Sequence, residues 1–504
     1  MNARLLLFSL TVLMPGLAFS QISSSMTLAP LPIDLKKEIE LSGIPESAWG
    51  VVVLPIPSQV LMKKGFSGYG LNADRPLNPA SVMKLVTTRA ALGILGPDFR
   101  HQTRIATTGR LDAGVLKGDL FFQGGGDPKL VVEDLTEIVK RLKAMGIIRI
   151  EGNLVIDGTR FNEPEIDPGQ FDQRPTSTYN VGPHAAMVNF KSVRISVWSE
   201  GSRRLRVETE PKIPERDITR RIQLVDGGCN RSQVSARMGS DSKLFISGAF
   251  GRRCSGVDFY VSVMDHARFA YTAFRAAFEA EGGVMTAKLQ SGPTPEHART
   301  LVDWESPRSL ISLVADINKL SNNPMTRQLF LNLSASADRP ATREASSERI
   351  KAYLASKGLV FPELVIDNGS GLSRQERISA ESMARLLTEA LLEPDGQAWV
   401  ETLPLVGVEG TVRNRMRDSV LQGRAWLKTG TLENVRALAG YVRSVEGRWV
   451  VLVILVPHPE AAKAKAPMDS LVKWAYTYKK RLGIFKYKLL ISKEFLLIAG
   501  IGRL

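Results

Sequence analysis

Apolar positions near both ends of the chain alternate in short runs, as in β-strands, whereas the middle contains longer runs with helical spacing. Residues 49–62 predict two short strands, and three consecutive strands are predicted at 426–432, 437–442 and 449–456. A helix is predicted over 85–95. A sheet built from both chain ends, with helices supplied from mid-chain, indicates an α+β domain interrupted by an insertion.

The interrupting region has its own pattern. From about Thr103 the chain alternates short strands with glycine-rich turns, and an amphipathic helix is predicted over 131–145. Between 190 and 260 alternating strands dominate, which predicts a small separate β module. A helix is predicted from Asp265, and a further helical stretch is predicted over 304–320.

The first twenty residues have the three-part layout of a secretory signal peptide. Arg4 precedes the apolar run 5–17. Ala18-Phe19-Ser20 then forms a cleavage site, with small residues at its first and third positions. The alternative is an N-terminal helix buried in the fold. We expect residues 1–20 to be a signal peptide and the mature protein to be exported.

Composition and charge narrow the class of partner. The 504 residues are 44% hydrophobic and 23% charged, which is typical of a globular protein with more than one domain. The net charge is +15, of which 479–504 carries +6 and Arg4 carries +1, so 21–478 holds about +8. Without a basic run that could follow a phosphate backbone, nucleic acid is not an expected partner. A positive surface suits an anionic polymer or substrates that end in carboxylates.

The two cysteines and the C-terminal tail need separate interpretations. Cys229 and Cys254 are close in sequence, which in an exported protein favours a local disulfide over free thiols and offers no metal site. The tail over 482–501 is apolar but interrupted by lysines, so a membrane-spanning helix is not predicted. Peripheral membrane contact through this tail is one possibility, and an inert extension is the other. No cofactor is expected.

Candidate chemistry begins at Ser81-Val82-Met83-Lys84, just before the helix predicted over 85–95. Residues three apart share one face of a helix, so Nζ of Lys84 can reach Oγ of Ser81. A serine hydroxyl needs a neighbour that accepts its proton, and a lysine can do so if burial or another cation lowers its pKa. This pair predicts a nucleophile and its base.

Two further motifs complete a set with that pair. Ser321-Asn322-Asn323 follows the helical stretch over 304–320, and Lys428-Thr429-Gly430-Thr431 lies on the strand predicted over 426–432. Ser-x-x-Lys, Ser-x-Asn and Lys-Thr-Gly form the signature of penicillin-binding proteins and serine β-lactamases. The alternative, three coincidental tripeptides, does not explain why order and context both fit.

The signature predicts an acyl-enzyme mechanism. Ser81 attacks a carbonyl carbon while Lys84 takes its proton. Backbone N–H groups of Ser81 and Thr431 would form an oxyanion hole, because a helix N-terminus and a strand edge present convergent donors. Ser321 and Lys428 would relay a proton to the leaving amine.

The remaining motif residues predict how substrate is held. Asn323 is expected to bind a substrate amide and to help hold Lys84. Thr429 and Thr431, separated by Gly430 and next to the charge of Lys428, suit a substrate carboxylate. An acyl donor with a free C-terminal carboxylate is therefore favoured.

These motifs, together with 367–373 and 403–411, resemble the D-alanyl-D-alanine carboxypeptidase/endopeptidase group, the class C low-molecular-mass penicillin-binding proteins. The resemblance spans about 26–478 and implies a transpeptidase-like catalytic domain of the penicillin-binding-protein and serine β-lactamase fold. It further implies cleavage of the D-Ala-D-Ala bond in peptidoglycan stem peptides and of cross-links, acylation by β-lactam antibiotics, and a periplasmic location. Within 367–373, which the residues alone leave as either a connector or a cleft rim, Ser370 is expected to bind substrate.

The resemblance also implies nested insertions, which explain the long gap between Ser81 and Ser321. The expected divisions are as follows: signal peptide 1–20; catalytic domain 26–102 and 289–478; inserted domain II 103–190 and 258–288; β-rich inserted domain III 191–257; basic apolar tail 479–504.

Two other functions share these residues. A serine β-lactamase has the same three motifs but needs a water activated for fast deacylation, and compact β-lactamases lack so long a gap. A non-catalytic peptidoglycan-binding protein with this fold would not need the intact set of Ser81, Lys84 and Lys428. The peptidase is therefore the favoured function.

Overall fold

The computed structural model describes the residues of five ranges: 26–56, 66–200, 204–239, 243–336 and 338–478. The predicted signal peptide over 1–20 and the tail over 479–504 lie outside them. Within the described ranges, no helix is both long enough and apolar enough to cross a membrane.

Strands and helices are numbered in chain order. The strands are β1 Met26–Pro30, β2 Gly50–Pro55, β3 Phe66–Leu71, β4 Gln102–Thr107, β5 Arg110–Asp112, β6 Val115–Lys117, β7 Leu120–Gln123, β8 Arg149–Glu151, β9 Asn153–Asp157, β10 Val193–Glu200, β11 Arg204–Glu210, β12 Ile218–Val225, β13 Val234–Met238, β14 Leu244–Gly251, β15 Gly256–Val261, β16 Val284–Met285, β17 Lys288–Ser291, β18 Arg299–Glu305, β19 Ala425–Leu432, β20 Val435–Arg443 and β21 Trp449–Pro457. The α-helices are α1 Ile33–Leu41, α2 Lys84–Leu95, α3 Val132–Ala144, α4 His266–Ala280, α5 Leu310–Leu320, α6 Asn323–Asn332, α7 Arg343–Ser356, α8 Ala380–Leu392, α9 Gly396–Glu401 and α10 Lys465–Thr477.

A six-stranded sheet joins the two ends of the chain in the order β1-β3-β2-β21-β20-β19. Side chains alternate between the two faces of a strand. In β2, Val51 and Val53 therefore pack with α1 and α10, whereas Val52 and Leu54 pack with the helices that include α2 and α8. Burial on both faces explains why these strands are almost continuously apolar. The predicted α+β fold is confirmed.

The inserted region contains further sheets. Strands β17-β9-β7-β4-β18 form one sheet and β16-β8-β6-β5 another, while β11-β10-β15 and β12-β14-β13 form two three-stranded sheets. Helices α3 and α4 pack against them through residues such as Leu135 and Phe274. A disulfide joins Cys229 and Cys254 within the strand-rich part. The predicted domain boundaries stay predictions.

Some predicted elements are wrong. β3 was not predicted, although it pairs with both β1 and β2. The helix expected from Trp304 begins only at Leu310, because Trp304 lies in β18 and is buried against β4. In both places pairing with distant strands decides the local structure. The second strand predicted within 49–62, after the break at 55–58, lies outside the described residues.

Candidate active site

Ser81 and Lys84 meet as their spacing predicts. A single 3₁₀ turn, Ala80–Met83, leads directly into α2, whose first residue is Lys84. Nζ of Lys84 lies 3.0 Å from Oγ of Ser81. Lys84 is completely buried, whereas Ser81 is partly exposed, so the nucleophile can be reached from solvent and its neighbouring amine cannot.

The surroundings of Lys84 favour its neutral form. Burial lowers the pKa of Lys84 well below its ordinary value, and the positive charge of Lys428 lowers it further. Nζ donates to Oδ1 of Asn323 at 2.6 Å and to the backbone carbonyl of Ser370, both of which only accept. A neutral amine has two N–H groups and one lone pair. In a neutral Lys84 whose two N–H groups are donated to these acceptors, the lone pair would be left for Ser81.

A second buried lysine sits at the start of the Lys-Thr-Gly motif. Nζ of Lys428 donates to Oγ of Ser321 at 2.7 Å and to the carbonyl of Thr429 at 2.9 Å. Burial lowers the pKa of Lys428 to about 7. Near neutral pH this group is therefore balanced between its charged and neutral forms, and Ser321 is its hydroxyl partner.

Two helices meet at the Ser-x-Asn motif. Ser321 ends α5 in the left-handed region, with φ of 57°, and the side chain of Asn322 caps α6 by accepting from N of Met325 at 3.0 Å. The chain thus leaves α5 and starts α6 within two residues. Ser321 and Asn323 come to lie beside different lysines, Lys428 and Lys84 respectively.

The orientation of β19 bears on the predicted oxyanion hole. This strand is at the edge of the six-stranded sheet, and N of Leu427 donates away from β20, to the carbonyl of Pro404. N–H groups two residues apart on a strand point the same way. The N–H groups of Thr429 and Thr431 therefore also point outward from the sheet, the direction needed to meet a substrate carbonyl oxygen.

Two glycines allow backbones to approach closely at the site. A Cβ on Gly430 would lie 2.7 Å from the carbonyl oxygen of Pro79, just before the nucleophile turn. Gly371 has φ of +81°, and a Cβ there would lie 2.0 Å from the carbonyl oxygen of Ala80. β19 and the 367–373 segment thus both pack closely against the turn that carries Ser81.

Several residues that position the site were not predicted from sequence. Asn78 accepts from N of Ala80 at 2.9 Å and donates to the carbonyl of Ser373 at 2.9 Å. Ala80 has φ of 45°, which is unfavourable for a residue other than glycine. Asn78 thus holds a strained backbone immediately before Ser81.

A buried carboxylate, Glu376, lies behind the Lys84 site. It accepts from the backbone N–H groups of Asn368 and Gly369 at 3.1 and 2.8 Å, next to the Ser370 carbonyl that contacts Lys84. Its other oxygen has no partner within the described residues. Burial raises the pKa of Glu376 to about 7 despite these donors and the opposing charge of Lys84.

The inserted region reaches the catalytic residues through main-chain carbonyls. Nδ2 of Asn323 donates to the carbonyl of Tyr179 at 3.3 Å. Arg327, one turn further along α6 and buried, donates to the carbonyls of Asn180 and Val181 at 3.1 and 2.8 Å. Carbonyl acceptors do not depend on side-chain identity, so no sequence signal indicated these contacts.

The residues that are predicted to bind substrate differ in their contacts and exposure. The hydroxyl of Thr429 donates to that of Thr411 at 2.9 Å, and Thr431 is exposed. The buried hydroxyl of Ser370, which is predicted to bind substrate, donates to Oδ1 of Asn368 at 2.6 Å. Only its carbonyl faces the reacting pair, where it contacts Lys84.

A serine beside a buried lysine, on an α+β fold of this topology, is the arrangement of a serine hydrolase. The profile of the D-Ala-D-Ala carboxypeptidase 3 (S13) family matches residues 33–478. The chain therefore belongs to that family, and it is a D-alanyl-D-alanine carboxypeptidase, a hydrolase. The predicted family and enzyme class are confirmed.

Relatives and solved structures agree with this assignment. The chain is 27% identical to the D-alanyl-D-alanine carboxypeptidase of Actinomadura sp. (strain R39) over 448 residues, 86% of this chain and 82% of the relative. It is 24% identical to the D-alanyl-D-alanine carboxypeptidase DacB of Haemophilus influenzae over 380 residues, 74% and 79% of the two chains. The crystal structure of penicillin binding protein 4 (dacB) from Haemophilus influenzae has the same fold, with a TM-score of 0.71 at 23% identity, over 89% of this chain and 100% of that one.

Proposed function

We propose that the protein removes the terminal D-Ala from peptidoglycan stem peptides through an acyl-enzyme on Ser81, and that it also cleaves D-Ala cross-links. The observation that carries this proposal is the buried Lys84, whose Nζ lies beside Oγ of Ser81 and donates to Asn323 and to the Ser370 carbonyl. A desolvated neutral amine at 3.0 Å from the hydroxyl is a competent general base.

The reaction begins when Oγ of Ser81 attacks the carbonyl carbon of the penultimate D-Ala and its proton moves to Lys84. N–H groups of Ser81 and Thr431 stabilise the oxyanion. The leaving amine takes a proton through Ser321 and Lys428, and water then hydrolyses the ester. The outward direction of the Thr431 N–H and the 2.7 Å contact between Lys428 and Ser321 support these roles.

The substrate carboxylate binds beside Lys428, Thr429 and Thr431. A penicillin has a carboxylate and a strained amide in a similar relation, so β-lactams acylate the same serine. The structure of the Haemophilus influenzae relative has also been solved with a β-lactam. Slow hydrolysis of the penicilloyl ester distinguishes this enzyme from a β-lactamase.

Such an enzyme works outside the cytoplasm, so residues 1–20 would direct export to the periplasm and be removed. The tail over 479–504 would add peripheral contact with the membrane. Removal of 479–504 should then leave D-Ala release from a soluble pentapeptide unchanged while reducing the amount of protein that sediments with membranes.

The test is intact-mass spectrometry of the mature protein after incubation with benzylpenicillin, together with D-Ala release from a soluble pentapeptide. We expect one penicilloyl adduct and D-Ala release in the wild type, and neither in Ser81→Ala. Thermal melting of both proteins checks that they are folded. A folded wild type that forms no adduct and releases no D-Ala would overturn the proposal.

A further inference from the structure

Within residues 21–478, the net positive charge is concentrated in one part of the inserted region. Residues 191–257, here called the β module, contain fourteen Lys and Arg against seven Asp and Glu. The rest of 21–478 contains 44 Lys and Arg against 43 Asp and Glu. The net charge of about +8, which composition alone left spread along the chain, therefore belongs almost entirely to the β module.

One sheet of the β module presents two arginines against a phenylalanine. Phe245 lies on the central strand β14, directly opposite Arg237 on β13. Arg221 comes from β12 on the other side, two residues after Thr219, which pairs with Phe245. The guanidinium carbons of Arg237 and Arg221 lie 4.6 and 5.5 Å from the centre of the ring.

These side chains share the outer face of the sheet. The alternate residues of β14, Leu244 and Ile246, are buried on the opposite face. Arg221 and Arg237 are exposed. Hydroxyl-bearing and aromatic neighbours complete what we call the arginine face, whose members are Thr219, Arg221, Ser235, Arg237, Phe245 and Ser247.

The two arginines differ from others in the β module. Arg206 is paired with Glu200 at 3.1 Å, and Arg220 is paired with Glu215. Among the residues that the structure describes, neither Arg221 nor Arg237 forms an ion pair with a carboxylate; each contacts the ring of Phe245 instead. Their charges are therefore held in place without being neutralised.

Stacking on an aromatic ring prepares a guanidinium for a ligand. The ring contacts the flat face of the group, while the N–H groups at its edge stay available for bidentate contact with a carboxylate. Because the side chain is already ordered by the ring, less entropy is lost when a ligand binds. Two such groups flanking one ring suit a polymer that carries several carboxylates.

We propose that the arginine face binds the free carboxylates of peptidoglycan peptides and so holds the enzyme on its polymeric substrate. The choice of peptidoglycan rests on the proposed function. Each contact is weak, but a mesh with many carboxylates raises the effective concentration of the polymer at the cleft. The arginine face thus acts on insoluble substrate and has no part in the chemistry at Ser81.

The test is co-sedimentation with purified insoluble peptidoglycan in a Ser81→Ala background, which prevents turnover. The variant Arg221→Gln/Arg237→Gln is compared with Arg206→Gln/Arg220→Gln. The second variant also removes two positive charges from the β module, but from arginines that are paired with carboxylates. We expect the first to weaken binding about tenfold, because charge-assisted contacts are lost, and the second to change it less than about twofold. Equal binding by the two variants would overturn the proposal.

A second arm identifies the polymer group that is bound. Peptidoglycan whose carboxylates have been converted to amides should lose the difference between the two variants. If the amidated polymer still binds the parent protein better than the arginine-face variant, the ligand is a different anion, such as a phosphate-bearing polymer, and the carboxylate proposal fails.

Activity measurements separate this proposal from the proposed function. With Ser81 intact, both double variants should form the penicilloyl adduct and release D-Ala from a soluble pentapeptide at the wild-type rate. On insoluble peptidoglycan the arginine-face variant alone should release D-Ala more slowly. Absence of soluble activity in the wild type would refute the proposed function, whatever the sedimentation result.

Discussion

The active site and the arginine face both contain basic side chains, but these side chains differ in burial and in charge. At the active site Lys84 and Lys428 are completely buried, and burial lowers both pKa values. On the arginine face Arg221 and Arg237 are exposed and remain charged. Desolvation therefore favours the neutral forms of the two lysines, whereas exposure keeps the two arginines charged.

The largest effect is expected when the buried Lys84 is replaced. Lys84→Gln keeps a buried hydrogen-bonding side chain but removes the proton acceptor, so we expect the rate of acylation by benzylpenicillin to fall about 1,000-fold. Intact-mass spectrometry of samples quenched at successive times measures this rate. Lys473→Gln, a change on the exterior of α10, is the control and should leave the rate unchanged. A Lys84→Gln rate within tenfold of the wild type would show that another group accepts the proton.

Burial of Glu376, the carboxyl group behind Lys84, should appear as a pH dependence of the free energy of unfolding. The pKa of Glu376 is raised to about 7, so the folded state holds the proton more tightly than the unfolded state. The wild type therefore loses stability as the pH rises from about 4.5 to about 7. Glu376→Gln has no such loss, and its free energy of unfolding relative to the wild type should be about 3 kcal/mol higher at pH 8 than at pH 4.5.

Urea unfolding of both proteins at the two pH values measures this difference. Glu381→Gln, at a partly exposed position in the first turn of α8, serves as a control in which no comparable change is expected. The same gain for Glu376→Gln at both pH values would contradict a raised pKa in the folded protein.

Lys428 gives a smaller effect that appears in activity. Its pKa of about 7 means that its positive charge is lost as the pH rises through neutrality. If that charge binds the substrate carboxylate, kcat/KM for a pentapeptide should fall about tenfold between pH 7 and pH 8.5 in the wild type. Lys428→Arg stays charged, so its profile should be flat over this interval, though at a lower level. A fall of equal size in Lys428→Arg would assign the titration to another group.

The smallest effect is expected at an exposed pair of the β module. Arg206 and Glu200 are about half exposed and 3.1 Å apart, so water and salt screen their interaction. Arg206→Gln should lower the free energy of unfolding by at most about 1 kcal/mol. A loss of several kcal/mol in urea unfolding would place this pair among the buried interactions.

Sequence spacing and motif together predicted the contacts between the proposed reacting groups but not the residues that support them. Helical spacing was enough for the 3.0 Å contact of Ser81 and Lys84. The contact of Ser321 with Lys428 spans 107 positions and could come only from the family signature. Glu376 was missed because a single buried charge has no periodicity to reveal it. The strand at Trp304 was assigned to a helix because its pairing partner lies some 200 positions earlier.

The distances along the chain between the groups that contact Lys84 have a consequence for how the protein folds. Asn323 and the Ser370 carbonyl lie 239 and 286 positions away, and β2 pairs with β21 near the other end. Contacts of such long range form late, since each must close a large loop. Until then Lys84 is hydrated and protonated, as in any unfolded peptide. A chain that has not finished folding thus carries an unreactive serine, and Ser81 becomes reactive only when folding is complete.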